Sequence, residues 1–361
     1  MTIKVAVIGL GKMGLSHLAM INALDDFEVI AICDSSAMVA GVIEKYGRLR
    51  CVATVEDVMR LPDLDAILIA TPSTTHAPMV TAALERGLHI FCEKPLTLSS
   101  ADSERLAALA AARGLVAQVG YHNRFIGTFG EVKRLVASGA LGRVSHVLAE
   151  AYGPVVLKPA KATWRSKSGQ GGGCLYDYAA HPLNLVNWYF GQPTGCSGAI
   201  LKSGFSAEVD DEVYATLGFA GGVTAQASVN WSDPSVRKMT TRISIWGERG
   251  KIFADRQEVQ VFLAEPGAGY DEGWTVKYIT ELTPPVSFYL RGEEYTAQLE
   301  AFGRAIRAEK GAEENGFASA AETDRTIEMI RSAAAAGGSA GEIAAAIAPR
   351  RPGLMQRMMG R

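Results

Sequence analysis

The sequence lacks the features that mark several large classes of proteins. It has five cysteines, an odd number without C-x-x-C spacing, so we expect reduced thiols rather than a disulfide framework. Its six histidines are scattered and no H-E-x-x-H motif occurs, so a zinc centre is disfavoured and we expect no metal. No apolar run approaches the length of a membrane span.

The charge is equally uninformative about large anionic partners. A formal net charge of −2 gives no sign of nucleic acid or of an anionic membrane as partner. The first predicted strand begins at Ile3, which leaves no room for a signal peptide, so we expect a cytoplasmic protein. With 361 residues, 48% of them hydrophobic and 20% charged, the chain is typical of a soluble protein of about two domains.

A glycine-rich turn stands near the start of the chain. The apolar segment Lys4–Ile8 reads as a strand, and apolar residues at helical spacing follow over Leu15–Ile21. A strand, a Gly-x-Gly-x-x-Gly turn and a helix direct free backbone N–H groups and the helix dipole at a pyrophosphate. An ordinary glycine-rich strand–helix turn is the alternative. The predicted cofactor contacts are Gly9, Gly11, Lys12, Met13 and Gly14.

An acidic residue at the end of the second strand favours the dinucleotide interpretation. Asp34 closes the apolar segment Glu28–Cys33 about 20 residues after Gly14, where a carboxylate would accept hydrogen bonds from the adenosine ribose. Ser35 follows, and the next cation is Lys45, so a 2′-phosphate would be repelled without local compensation. We therefore expect NAD rather than NADP at Asp34 and Ser35.

Alternation of strands and helices continues through the first third of the chain. The predicted strands are Asp65–Ala70, His89–Cys92 and Val116–Val119, and the predicted helices are Pro78–Arg86 and Ser100–Arg113. Short connections between apolar strands and helices imply a parallel sheet covered on both faces, an α/β Rossmann domain that we assign to residues 1–123. Ligands on such sheets bind beyond the carboxyl ends of the strands. Polar residues at those ends include Thr71, Pro72, Glu93, Lys94, Tyr121, Asn123 and Arg124.

After residue 123 the hydrophobic period changes to two. Predicted strands are Val144–Tyr152, Glu212–Ala220, Val223–Asn230, Thr240–Trp246, Glu258–Ala264 and Thr275–Leu282. Gly221-Gly222 and Glu248-Arg249-Gly250 are turn signals between such strands, and helices are predicted at Leu175–Tyr189, Glu294–Glu309 and Ala318–Ala336. We therefore expect an α+β domain with an antiparallel or mixed sheet over residues 124–340, followed by a tail at 341–361. The predicted helices are too few to cover both faces of this sheet, so we expect a homodimer or homotetramer.

The chain resembles the glucose-fructose oxidoreductase / inositol dehydrogenase / rhizopine-catabolism (Gfo/Idh/MocA) family of NAD(P)-dependent sugar and cyclitol oxidoreductases. The resemblance rests on Gly9–Gly14, Ala70-Thr71-Pro72 with His76, Glu93-Lys94-Pro95, Gln118–Phe125, Gly139–Arg143, Trp164-Arg165, and Gly171–Gly173 leading to Asp177 and His181. It implies a Rossmann domain, a C-terminal domain with a large, mostly antiparallel sheet, and no metal. It also implies that Lys94, Asp177 and His181 are catalytic and that His76 lies near the cofactor.

These residue types suit the oxidation of a secondary alcohol. The hydroxyl must lose its proton when the carbon loses hydride, and histidine accepts a proton near pH 7, so His181 is the predicted general acid/base. Lys94 can stabilise the developing alkoxide, and Asp177 can orient His181 or bind a neighbouring hydroxyl. The alternative for Lys94 is a cation on a surface loop. For Asp177 and His181 the alternative is structural: Asp177 caps the start of a helix, and His181 is a helical residue that precedes Pro182.

Further predicted contacts complete the site. We expect the cofactor to contact Thr71, Pro72, His76, Glu93, Lys94, Trp164 and Arg165, and the substrate to contact Lys94, Tyr121, Asn123, Arg124, Arg165, Asp177 and His181. Packing of Trp164 in the core and pairing of Arg165 with a surface acid are the alternatives. The leading hypothesis is an NAD-dependent dehydrogenase of a sugar, sugar derivative or inositol. A redox-neutral enzyme with tightly held NAD, such as a glycoside-cleaving enzyme with a keto intermediate, and a non-catalytic cofactor-binding sensor are the others.

Overall fold

A computed structural model describes residues 2–47, 49–157, 164–309 and 314–337. The predicted tail at 341–361 therefore lies outside the described residues. Of the described residues, none forms a helix that is both long and apolar enough to cross a membrane.

The amino-terminal part is a doubly wound sheet. Its six strands lie in the order β3-β2-β1-β4-β5-β6, and every neighbouring pair is parallel. The strands are β1 (Ile3–Ile8), β2 (Phe27–Cys33), β3 (Cys51–Val52), β4 (Ala66–Ile69), β5 (His89–Cys92) and β6 (Ala117–Val119), and the helices are α1 (Lys12–Ile21), α2 (Ala37–Gly47), α3 (Val55–Met59), α4 (His76–Arg86) and α5 (Ser100–Ala112). Buried aliphatic strands alternate with helices because each helix covers one face of the sheet, so the predicted Rossmann architecture is confirmed.

The second part is built on an eight-stranded sheet in the order β14-β13-β12-β11-β7-β10-β9-β8. Strands β7 and β10 pair in parallel, and the other neighbours pair antiparallel. The elements are α6 (Gly127–Ser138), β7 (Val144–Tyr152), α7 (Ala180–Phe190), β8 (Gly195–Lys202), β9 (Glu212–Gly218), β10 (Thr224–Asn230), β11 (Thr240–Gly247), β12 (Gly250–Asp255), β13 (Glu258–Leu263), β14 (Gly273–Tyr278), α8 (Ile279–Leu282), α9 (Glu293–Ile306) and α10 (Phe317–Ala336). The expected large, mostly antiparallel sheet is confirmed.

One face of the second sheet packs against the helices and the other is open. Val147, Ile245 and Ile252 alternate inward and belong to the main core together with residues of α7. The opposite face carries an aromatic row in which Trp246 contacts Phe253, Phe253 stacks on Trp274, and Trp274 contacts Phe262. Trp274 is 55% exposed, so a large apolar side chain faces outward there.

Several element predictions need correction. Strands β3, β8 and β12 and helices α2, α3, α6 and α8 were not predicted. Helix α6 begins with Gly127 and contains Gly130, residues that weaken a helical pattern. The predicted strand Thr275–Leu282 ends at Tyr278, because Tyr278 N–H donates to the Glu281 carboxylate and begins α8. The predicted helix Leu175–Tyr189 begins instead with a π-helical turn, Leu175–Ala179, before α7.

The last two helices return to the amino-terminal part. Phe302 of α9 contacts Phe27 and Phe91 of the first sheet, with ring centroids 6.3 and 5.9 Å away, and α10 packs along α5. Residue 123 lies between the last strand of the first sheet and the first strand of the second. The domain boundary that we placed there stays a prediction. Helices α9 and α10 follow this boundary in the chain but pack against the amino-terminal part, α9 against the first sheet and α10 against α5.

Candidate active site

The glycine-rich turn has the shape that a pyrophosphate requires. Gly9 has φ +89°, and a Cβ on Gly14 would lie 1.8 Å from the Gly9 carbonyl oxygen, so neither position accepts a side chain. A Cβ on Gly11, by contrast, would meet nothing within 4 Å. Gly11 also caps α1 without any side-chain hydrogen bond, so the first N–H groups of this helix stay free for an anion. Lys12, exposed, and Met13, half-buried, open the same helix.

Asp34 lies beside this turn at the end of β2. One carboxylate oxygen accepts the Leu10 N–H at 2.5 Å and the other accepts the Ser36 N–H at 2.7 Å. The carboxylate is thereby fixed next to the glycine-rich turn, and its remaining lone pairs can accept ribose hydroxyls. Ser35 is exposed beside it.

Lys94, Asp177 and Arg165 form one ion-pair network, in which Lys94 and Asp177 are largely buried and Arg165 is exposed. Lys94 Nζ donates to the Asp177 carbonyl oxygen at 2.7 Å and to its Oδ1 at 3.1 Å, and Arg165 Nε donates to Oδ2 at 2.7 Å. Burial alone would raise the pKa of Asp177, but the charges and hydrogen bonds of Lys94 and Arg165 outweigh it and hold that pKa below its usual value. Asp177 was predicted to orient His181 or to bind a neighbouring hydroxyl, and this stays a prediction; each of its carboxylate oxygens accepts a hydrogen bond from one of the two cations.

His181 lies beside this network on the first turn of α7. The imidazole is 4% exposed, and its Nδ1 is buried without a hydrogen-bond partner among the described residues. Its ring contacts His122 at 5.0 Å and Tyr121 at 6.3 Å between centroids. Burial, with the charges of Lys94 and His122, lowers the pKa of His181 well below its usual value. The imidazole is therefore neutral at pH 7 and able to accept a proton.

Glu93 contacts both Lys94 and a residue of α1, the helix that follows the glycine-rich turn. Its Oε1 lies 2.6 Å from Nε2 of His17, a fully buried residue of α1, and its Oε2 accepts the Lys94 N–H at 3.2 Å. Burial would raise the pKa of Glu93, but the hydrogen bond and charge of His17, with Lys94, lower it. Glu93 was predicted to contact the cofactor, whereas the role of His17, which its apolar helix concealed, was missed.

The strand end at Thr71 and Pro72 is tied to the same segment by His76. The imidazole is buried, with Nε2 3.0 Å from the Thr71 carbonyl oxygen and Nδ1 3.0 Å from that of Pro95. Burial lowers the pKa of His76, although these carbonyl contacts oppose the shift. His76 was predicted to contact the cofactor, and this stays a prediction; both of its ring nitrogens face backbone carbonyl oxygens, and a neutral imidazole can donate to only one of them.

Two residues that were predicted to contact the substrate, Asn123 and Arg124, have buried side chains that contact other parts of the protein. Arg124 is buried, donates to the Asn184 side chain at 2.8 Å and covers the Trp188 ring, and Asn123 is buried against Thr241. Protein contacts therefore occupy both side chains, and their contact with the substrate stays a prediction. Tyr121, also buried, supports His181 by ring contact.

Two other predictions concern the edge of the site. Trp164 lies under the Arg165 guanidinium, 4.9 Å from it, so this pair borders the Asp177 network. Tyr295 was missed: its ring stacks on His122 at 4.6 Å, and the Arg291 guanidinium covers its other side at 5.1 Å. The sequence offered no signal for Tyr295 beyond its place in an amphipathic helix.

Comparison with known proteins gives the same answer as the geometry. Residues 3–121 match the model of an oxidoreductase family with an NAD-binding Rossmann fold, and residues 129–253 match the GFO/IDH/MocA C-terminal domain. The chain belongs to the Gfo/Idh/MocA oxidoreductase family. The resemblance drawn from the sequence motifs is therefore confirmed.

Individual relatives are distant but span most of the chain. A myo-inositol 2-dehydrogenase of Thermotoga maritima is 27% identical over 73% of this chain and 78% of its own length. An inositol 2-dehydrogenase of Rhizobium meliloti is 27% identical over 91% of this chain and 97% of its own. A levoglucosan dehydrogenase solved with NADH has a TM-score of 0.81 at 22% identity, covering 93% of this chain and 98% of that one, which shows the shared fold.

Proposed function

We propose that this protein is an NAD-dependent dehydrogenase that moves hydride between nicotinamide and a secondary hydroxyl of a sugar, sugar derivative or inositol. One observation carries the proposal. Lys94 and the neutral His181 lie together at the carboxyl edge of the first sheet, and Glu93 connects Lys94 to the helix that follows the glycine-rich turn. A proton acceptor, a cation and a dinucleotide cradle thus share one edge.

The residues present fit the cofactor. The open space at Gly11, the uncapped start of α1 and the fixed Asp34 carboxylate suit a pyrophosphate and an adenosine ribose. When bound, nicotinamide would accept the hydride from the alcohol carbon. The protein then has to fix the hydroxyl and to accept its proton.

We assign the proton to His181. Nδ1 is buried, so Nε2 is the nitrogen that can face a hydroxyl. A neutral imidazole is a competent base at pH 7, and after it accepts the proton it can return it in the reverse direction. The depressed pKa of His181 favours release of that proton once the product has left.

Lys94 stabilises the oxygen that loses the proton. Its ammonium group has three N–H donors, and Asp177 uses only part of this capacity. Because Lys94 is largely buried, its charge acts on a developing alkoxide with little screening by water. Asp177 pairs with both Lys94 and Arg165 and so holds the Lys94 ammonium group in place.

The names of the relatives direct the substrate test. Inositols, aldoses, sugar acids and anhydrosugars should be incubated with the protein and NAD while NADH absorbance is followed. Turnover with any polyol supports the proposal, and its absence across the panel contradicts it. Cofactor that copurifies with the protein and turns over without net NADH would favour the redox-neutral alternative.

Two substitutions then test the assigned chemistry. Lys94→Ala and His181→Ala should each lower kcat by roughly 10²–10⁴-fold, whereas NAD affinity should change little in the His181 variant. His89→Gln is a matched control, because His89 lies at the opposite end of β5 and accepts the Val116 N–H. Full turnover in the His181 variant would refute its role and leave the cofactor assignment intact.

A further inference from the structure

A buried carboxylate of α10 binds the chain segment that follows Lys94. Asp324 of α10 is 4% exposed, and its Oδ2 accepts the Thr97 N–H at 3.3 Å and the Ser103 hydroxyl at 2.7 Å. Thr97 and Ser103 are themselves buried, and their hydroxyls lie 2.8 Å apart. A carboxylate from a distant part of the chain thus enters the segment that begins three residues after Lys94.

This segment is held from two sides. On the side of the first sheet, His76 contacts the Pro95 and Leu96 carbonyl oxygens at 3.0 and 3.2 Å. On the other side, Asp324 binds the backbone N–H of Thr97. His76 and Asp324 thus both contact the backbone of residues 95–97, directly after Lys94.

Helix stability by itself gives no reason for an acid here. Helix α5 already has its own cap, since the Ser99 hydroxyl accepts the Asp102 N–H. Burying a carboxyl group costs free energy unless its oxygens are satisfied, and Oδ1 of Asp324 is buried without a hydrogen-bond partner among the described residues. Perturbed buried acids of this kind are enriched at functional sites.

Asp324 also lies close to the support of the proton acceptor. After burial, its charge is the largest cause that raises the pKa of Tyr121, the residue whose ring contacts His181. The Tyr121 hydroxyl is likewise buried without a hydrogen-bond partner among the residues described. The acid thus binds the segment that follows Lys94 and lies near Tyr121, whose ring contacts His181.

We propose that Asp324 is a positioning residue for the reaction, which sets the place of Lys94 by binding Thr97 and Ser103. The inference rests on the proposed function, since it takes Lys94 to be the group that stabilises the alkoxide. Asp324 contacts the backbone of the lysine segment and does not touch the reacting atoms. A displacement of about 1 Å at a reacting group can cost about 100-fold in rate.

The kinetic test compares three variants in the full-length protein. Asp324→Ala should lower kcat by about 10- to 100-fold with the KM for NAD nearly unchanged, and Asp324→Asn, which keeps an acceptor for Thr97, should recover most of the loss. Glu328→Gln is the matched control, because Glu328 lies one helical turn away and binds Ser100 of the same α5. Its kcat should stay within about twofold of wild type.

A second kinetic measurement separates positioning from loss of folded protein. With substrate deuterated at the oxidised carbon, a misplaced Lys94 slows the chemical step, so the isotope effect on kcat should increase in Asp324→Ala. A smaller folded fraction would lower kcat and leave the isotope effect unchanged, which would overturn the inference. Wild-type kcat in Asp324→Ala would also overturn it.

Amide hydrogen exchange tests the same inference without turnover. The Thr97 amide should exchange about tenfold faster or more in Asp324→Ala than in wild type or Glu328→Gln, because it loses its acceptor. If Lys94→Ala proves fully active, the proposed function fails in its catalytic assignment. If Lys94→Ala is impaired while Asp324→Ala keeps both rate and exchange, the proposed function stands and the positioning role fails. If Asp324→Ala is too unstable to isolate, Ser103→Ala, which removes one of the two hydrogen bonds to Asp324, is measured in its place, and wild-type exchange and rate in this variant refute the role.

Discussion

The same buried acid should give the protein a distinctive dependence of stability on pH. Burial raises the pKa of Asp324 from 3.8 to about 7, and the hydrogen bonds from Ser103 and Thr97 only partly oppose this. Cys92, Tyr121 and Tyr176 sense the charge of this acid from the elements packed around it, and all three stay neutral near pH 7 because burial raises their pKa values. Asp324 is therefore the group of this pocket that titrates near neutrality. We expect Asp324→Asn to remove this titration while it keeps the shape of the side chain.

The sign and size follow from linkage. Between pH 3.8 and 7 the unfolded chain has released the Asp324 proton and the folded protein has retained it, so the unfolded state binds fewer protons and stability falls as pH rises. Each pH unit in this window costs about 1.4 kcal/mol. From pH 5 to pH 8 the wild type should thus lose about 3 kcal/mol of stability through this group, and Asp324→Asn should lose none of it.

The assay is urea unfolding of both proteins at several pH values from 5 to 8. Taking the difference between the two proteins at each pH cancels the titration of all other groups. Asp324→Asn should gain on the wild type by about 3 kcal/mol across this range, with most of the gain below pH 7. A difference that stays constant with pH would refute a raised pKa for Asp324, whatever its absolute size.

Three further outcomes are expected. NAD should bind at least tenfold tighter than NADP, about 1.4 kcal/mol, because Asp34 repels a 2′-phosphate, and equal binding in a tryptophan-fluorescence titration would contradict this. Gly11→Ala should weaken NAD binding by about tenfold or more with the melting temperature retained, since its Cβ enters the space for pyrophosphate, whereas Gly14→Ala should lower the melting temperature because its Cβ meets the Gly9 carbonyl oxygen. Light scattering should show a dimer or tetramer formed through the open aromatic sheet face, and Trp274→Glu should dissociate it; a monomeric wild type at micromolar concentration would sink the idea.

The sequence by itself determined the parts of this protein whose signals are local. A buried strand, a glycine-rich turn and a helix are adjacent in the chain, so β1, Gly9–Gly14 and α1 could be predicted together with Asp34 at the end of β2. The hairpin of β9 and β10 was equally legible, because period-two alternation meets Gly221 and Gly222 between the strands. Lys94 and His181 were predicted to be catalytic from short motifs at strand and helix ends and from the family resemblance, and that role stays a prediction.

Only the tertiary structure decided which hydrogen bonds and ion pairs those residues form. Arg165 and Lys94 meet on Asp177, His17 meets Glu93, and Asp324 meets Thr97, across separations of up to 227 residues in the chain. Such contacts depend on how the two sheets and the helices around them pack. No local pattern of hydrophobicity encodes which polar atoms become neighbours. Asn123 and Arg124 follow the end of a strand, where binding residues are common, yet both side chains are buried against other protein groups. The reason is that the partners of a side chain depend on the packing of the whole fold.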